Sequence, residues 1–232
     1  MKKVVLIAVL LVAAFSFNTL NAQVKGGFKL GVDFSKLSLD YDDIGSYTDE
    51  SNAKRLISPR LGFILEVPVN DYLFVQTGVF ATAKGYRVKE TGEFLGETYE
   101  YREMQILGAL DIPINFGYKY DLGGIKLFGM VGPVISYNVY ATTLEKIDDE
   151  DWDNNNDLKI GTSEFDFFKP LNIGVDIEAG VELSRFQFSV YYVQGLSNIS
   201  SQDGGTFKTN VFGLAAAIKF GKVESNRGGF RR

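Results

Sequence analysis

Asp176, Glu178 and Glu182 recur at even spacing within residues 171–183, which puts the three carboxylates on one face of an extended strand. Carboxylates held so close can shift one another's pKa and divide the roles of acid and base. Glu66, Glu103 and Asp111 stand in the equivalent phase of other alternating segments, and so do Asp33, Lys29, Arg60, Lys84, Lys126, Arg185 and Lys219. Acids and bases confined to one narrow interior would instead pair, giving a network of ion pairs and hydrogen bonds. The chain has no His and no Cys, so it cannot build a Ser-His-Asp triad, a cysteine nucleophile or an ordinary zinc site. These polar residues are therefore read as a structural network, with no catalytic residue, no cofactor and no metal ligand among them.

A second candidate is the run Asp148-Asp149-Glu150-Asp151-Trp152-Asp153-Asn154-Asn155-Asn156-Asp157, a dense set of oxygen ligands of the kind a hard cation prefers. Its spacing imitates the start of an EF-hand loop, but Asn154 stands where the glycine belongs and Ile160 where the closing Glu belongs. The run is read as a solvated acidic loop. Trp152, the chain's single tryptophan, is its best anchor for a partner, since tryptophan dominates interface hot spots; folding back on a rim is the alternative.

The elements that position these residues all have period two, and no long stretch shows helical periodicity. Eight segments alternate: residues 28–35, 60–67, 73–84, 103–114, 126–139, 171–183, 185–192 and 212–220. Asn70-Asp71, residues 121–124 and Ser184-Arg185 make tight connections, whereas Leu37–Leu56, Gly85–Tyr99, Ala141–Phe168 and Ser197–Phe207 are long. Short turns at one end and long loops at the other are the layout of a transmembrane barrel. Pro68 and Pro113 sit near strand ends, while Pro59 and Pro133 predict bulges.

Alternation alone also describes a soluble barrel, so the polar face must decide the orientation. That face repeatedly carries glycine, at 31, 62, 78, 132, 174, 180 and 213, among its occasional charges. Small residues suit the crowded lumen of an eight-stranded barrel, and the uniformly apolar opposite face suits hydrocarbon. Tyr72 and Tyr118 near the short turns, with Tyr86, Tyr101 and Tyr137 toward the loops, are placed to form aromatic girdles; the alternative is that Tyr is simply common in strands. The expected fold is all-β: an eight-stranded antiparallel transmembrane β-barrel with four long extracellular loops and three short periplasmic turns.

Residues 1–22 read as a removable signal peptide: Lys2 and Lys3, an apolar run through Phe15, then a polar stretch ending at the small Ala22. Removing Lys2 and Lys3 takes the formal charge from −5 to −7, which argues against nucleic acid. The expected organisation is signal peptide 1–22, barrel 23–221 and a basic tail 222–232, located in the outer membrane of a Gram-negative cell. Outer-membrane lipid is then an obligatory partner. Oligomeric state is not legible in the chain.

Several stretches carry a family resemblance: Lys25-Gly26-Gly27-Phe28-Lys29-Leu30-Gly31, Arg60-Leu61-Gly62-Phe63, Leu110-Asp111-Ile112-Pro113-Ile114, Gly129-Met130-Val131-Gly132-Pro133 and residues 191–199. Together they make the chain resemble the PorT-like outer-membrane β-barrel domain family. The resemblance implies a barrel in the outer membrane, and one relative of the family is linked to a protein-secretion and gliding apparatus. The family pattern usually has Glu where Asp111 stands, and many barrels end at the aromatic of the last strand, whereas this chain continues from Gly221 to Arg232. The function expected is a non-enzymatic structural or partner-binding component of the envelope or of a secretion assembly. A barrel handling small solutes or lipids through a partly open polar lumen is the alternative.

Overall fold

Alternating sequence becomes alternating burial in the computed structural model, which describes residues 24–41, 53–94, 97–148, 150–163, 165–201 and 205–221. The strands are β1 (Lys25–Tyr41), β2 (Lys54–Pro68), β3 (Leu73–Phe94), β4 (Glu97–Asp121), β5 (Lys126–Ile147), β6 (Asp153–Asp157), β7 (Leu171–Leu183), β8 (Phe186–Gly195) and β9 (Gly205–Phe220). Eight of them close an antiparallel ring in the order β1-β2-β3-β4-β5-β7-β8-β9, with β9 pairing back onto β1. The ninth, β6, adds to the upper part of β5 outside that ring. The expected eight-stranded barrel is the fold. Closure gives every strand of the ring two neighbours, which is what a sheet needs to cross hydrocarbon.

The tight connections work by local chemistry. Asn70 Oδ1 accepts hydrogen bonds from the backbone N–H groups of Tyr72 (2.9 Å) and Leu73 (2.7 Å), closing the β2–β3 turn. Asp121 Oδ1 accepts from Gly123 N–H at 2.8 Å between β4 and β5. The β7–β8 connection is two residues long and puts Ser184 at φ 55°.

The upper ends depart from the expected loops. β3 runs to Phe94 and β4 resumes at Glu97, so nearly all of 85–99 is ladder, and 153–157 of the acidic run is strand. Hydrophobic alternation marks only the part of a strand that crosses lipid; above it, backbone pairing continues without an apolar face to announce it. The wall is consequently uneven: β3, β4 and β5 have 22, 25 and 22 residues, β7 and β8 only 13 and 10. A spanning strand needs about 9–11 residues, so one side of the barrel stands well above the membrane.

A register shift lies between Arg55 and Arg60, beside Pro59 as expected. Pro133 pairs with Val175 in unbroken register, and the β4–β5 shift lies instead between Gly108 and Ala109. Pro133 is harmless because its pairing partners on both sides keep the same count. The outer surface is apolar, with Phe28, Leu30, Leu61, Phe116, Ile177 and Leu214 all exposed. Tyr72 and Tyr118 stack at 5.9 Å on its periplasmic end. Tyr137 is exposed toward the loops, but Tyr86 is buried inside the mouth and Tyr101 turns its hydroxyl to Glu103, so neither belongs to an outer girdle.

The signal-peptide and tail assignments, residues 1–22 and 222–232, lie outside the described residues.

Candidate functional site

The lumen collects side chains from every strand of the ring. At its periplasmic end Glu66 on β2 and Glu182 on β7 face Lys119 on β4 and Lys219 on β9. Lys119 lies 2.8 Å from Glu182, Lys219 lies 2.9 Å from Glu66, and the Lys119–Glu66 and Lys219–Glu182 contacts complete a two-by-two cluster. Above it Lys29 meets Glu178 at 2.6 Å. Higher still Asp111 takes Lys84 at 2.7 Å and Arg60 at 3.6 Å, and Lys84 also donates to Ser136 Oγ at 2.9 Å. Asp33 accepts from Thr82 at 2.6 Å and from the Tyr191 hydroxyl.

All these groups are buried. Removing charges from water costs several kcal/mol each, and only well-made pairs with further hydrogen bonds recover it. Among the described residues the lumen buries Lys29, Arg60, Lys84, Lys119 and Lys219 against Asp33, Glu66, Asp111, Asp176, Glu178 and Glu182, one carboxylate in excess. Two of these carboxylates, Asp33 and Asp176, have no ion-pair partner among the described residues, because Arg60 and Lys84 both go to Asp111. Asp33 is held by the Thr82 and Tyr191 hydroxyls, whereas Asp176 Oδ2 accepts from Asn115 Nδ2 at 2.7 Å and its Oδ1 has no hydrogen-bond partner among the described residues. A cavity of about 10 Å³ opens beside it, lined by Asp176, Asn115, Lys29, Arg60, Glu178 and Tyr191 among others, which is room for one water.

Ten of the thirteen residues assigned from the sequence to an inward polar network are thus buried in the lumen: Lys29, Asp33, Arg60, Glu66, Lys84, Asp111, Asp176, Glu178, Glu182 and Lys219. Three lie elsewhere. Lys126 opens β5 at the periplasmic rim, half exposed and 3.7 Å from Asp121. Arg185 sits on the exposed β7–β8 turn. Glu103 lies higher on β4, half-buried, accepting from Tyr86 at 3.0 Å and from Tyr101 at 3.3 Å. The phase of each segment does not tell where along the strand the lumen begins and ends.

Four aromatic residues of the lumen have no place in the alternation read from the sequence. Phe74, Phe80, Phe128 and Tyr191 point inward and are buried. Arg60 stacks between Phe80 and Tyr191, with its guanidinium carbon 4.6 and 5.0 Å from their centroids, and Lys119 lies 4.4 Å from the centre of Phe74. The rings fit because glycine faces them: a Cβ on Gly213 would stand 2.2 Å from the Tyr191 ring, and one on Gly117 would stand 2.2 Å from Phe74. The signal was present, since Phe74 and Phe80 share the phase of Gln76, Thr82 and Lys84.

The mouth is closed by different chemistry. Leu37, Tyr86, Val88, Leu107 and Ala141 from the wall pack with Phe168 from the β6–β7 loop, Ile199 from the β8–β9 loop and Phe207 on β9. Backbone bonds tie the two loops over the opening: Lys169 N–H donates to Ile199 at 2.8 Å and Ser201 N–H to Phe167 at 3.1 Å. Trp152 stands exposed just before β6. Outside the membrane, hydrogen bonds from Lys89 and Arg102 hold the Glu100 carboxyl below the usual carboxylate range. Among the described residues no group of His, Cys, Asp or Glu has the arrangement of a metal site.

Solved structures with a similar trace include the outer membrane protein OprG of Pseudomonas aeruginosa, 12% identical, covering 86% of this chain and 96% of OprG, with a TM-score of 0.45. Ail of Yersinia pestis is 12% identical over 85% of this chain and 99% of Ail, with a TM-score of 0.38. The Neisserial surface protein NspA is 11% identical over 85% of this chain and 97% of NspA, with a TM-score of 0.37. No curated protein matches the chain. Residues 11–201 match the family model described as the outer membrane protein beta-barrel domain. The chain belongs to that family and is a β-barrel protein of the outer membrane.

Proposed function

We propose that this barrel is a closed, non-enzymatic outer-membrane component that acts through the face it raises outside the membrane, by binding another protein of the envelope or of a secretion assembly. The observation that carries the reading is the filled lumen. Ion pairs cross it at several levels, the cavity between them has room for about one water, and an apolar cluster seals the mouth. What remains available to a partner is the tall wall of β3, β4 and β5, the added strand β6 and Trp152 beside it. The absence of His and Cys supports a role without catalysis. The resemblance to PorT-like barrels supports a place in secretion, and outer-membrane targeting through a signal peptide cleaved near Ala22 belongs to the same reading.

Solute handling draws on one feature, an open bowl of about 600 Å³ at the periplasmic end, whose lining includes Glu182 and Lys219. Those two residues belong to the ion-pair cluster that closes its floor, so passage would require breaking that cluster. Reconstitution in planar bilayers separates the two readings. The closed barrel shows no stable channel, and in-cell crosslinking through residues of β6 captures a second protein. A sustained conductance that Glu182→Gln enlarges would replace this reading with the solute pathway.

A further inference from the structure

The outer face of the tall wall carries cations where cross-strand geometry makes them repel. Lys89 on β3 lies directly opposite Arg102 on β4, and Arg102 lies directly opposite Lys146 on β5. Directly paired residues of antiparallel strands share a face, and Val88, next to Lys89, points inward, so all three cations face outward. Arg87, two positions below Lys89, adds a fourth on the same face. Like charges directly opposite one another destabilise a sheet. Glu100 offsets part of this by pairing with both Lys89 and Arg102. Arg87 and Lys146 have no ion-pair partner among the described residues, and the acids next above, Glu93 and Asp148, are not paired with them. Four cations against one bonded carboxylate make a patch that an anion would relieve.

The height of the patch identifies the anion. Reading upward, the outer face of β4 runs Ile112, Leu110, Ile106, Met104 and then Arg102, while that of β3 runs Val79, Ala81, Ala83 and then Arg87 and Lys89. Met104 pairs with both Arg87 and Leu144, so the row of cations stands immediately above the apolar belt. An anionic group there is carried by a molecule whose tails lie against that belt. We infer that Arg87, Lys89, Arg102 and Lys146 form a docking surface for a phosphate-bearing lipid headgroup of the outer leaflet. Arginine supplies forked, charge-assisted bonds to phosphate, and lysine near a lipid surface adds attraction of its own.

The test places the refolded protein in phosphatidylcholine nanodiscs containing a small fraction of lipid A, and reads retained lipid by native mass spectrometry after release into detergent. The wild type retains phosphorylated lipid A, the R87Q/K89Q/R102Q/K146Q variant retains at least about tenfold less, and dephosphorylated lipid A is held by neither. Arg102→Lys keeps most of the retention. If the fourfold variant does not fold, Arg87→Gln and Lys146→Gln, which break no ion pair, each lower retention by about threefold. Equal retention by wild type and variants, or equal retention of the dephosphorylated lipid, overturns the inference. Displacement of bound lipid A by millimolar inorganic phosphate overturns it as well, since the patch would then hold a free anion and not a lipid.

Discussion

The lower lumen and the mouth of this barrel are both closed, but by opposite means. Below, charges brought together from six strands satisfy one another: Glu66, Glu182, Lys119 and Lys219, then Lys29 with Glu178, then Asp111 with Lys84 and Arg60. Above, Leu107, Phe168, Ile199 and Leu37 make a small apolar core. The difference teaches where water has been excluded by the wall and where by the loops. Inside a narrow polar cylinder, paired charges are a compact filling, and each partner is costly to remove. Loops folding over an opening can meet the wall through apolar contact, which is non-directional and tolerates adjustment.

The largest effect is expected in the lower region. Asp111→Ala strands Lys84 and Arg60 inside the barrel and costs about 3–5 kcal/mol, read from urea unfolding of the refolded protein. A loss below about 1 kcal/mol would show that water reaches these groups and that the ion pairs do not fill the lumen. Leu107→Ala at the mouth removes a fully buried side chain and costs about 3 kcal/mol, with amide exchange accelerated in the β6–β7 and β8–β9 loops and unchanged in the lower strands. Exchange rising equally at both ends would mean that the two regions are one cooperative core. The smallest effect belongs to Asp176→Asn. Asp176 has no cation partner among the described residues, so removing its charge is neutral or stabilises by up to about 1 kcal/mol. A loss as large as that of Asp111→Ala would place Asp176 within the paired network after all.

How much of this was legible depended on whether a feature left a period in the chain. The strand phases of Lys29, Glu66, Asp111 and Asp176 followed from alternation, because side chains on a strand point to opposite faces in strict turn. Height along the strand has no such signature, which is why Lys126 and Arg185 were assigned to the interior although they stand at its periplasmic edge. The inward Phe74, Phe80, Phe128 and Tyr191 are not legible from residue type, because an apolar side chain is expected on the face that meets lipid; glycine on facing strands makes room for them inside. The segment 85–99 reads as a loop because its alternation turns polar above the membrane, while its ladder of hydrogen bonds continues.

Sequence alone determined the class of structure: a period of two, glycine on the polar face and alternating short and long connections leave a closed transmembrane barrel as the way to satisfy every backbone group in lipid. Which charge meets which, which loop seals the mouth and how high each wall stands were decided by the tertiary structure. Those depend on register between strands and on contacts between residues as far apart as Lys29 and Glu178. The same closure that makes the barrel legible from its period brings such residues together, and no local pattern encodes that meeting.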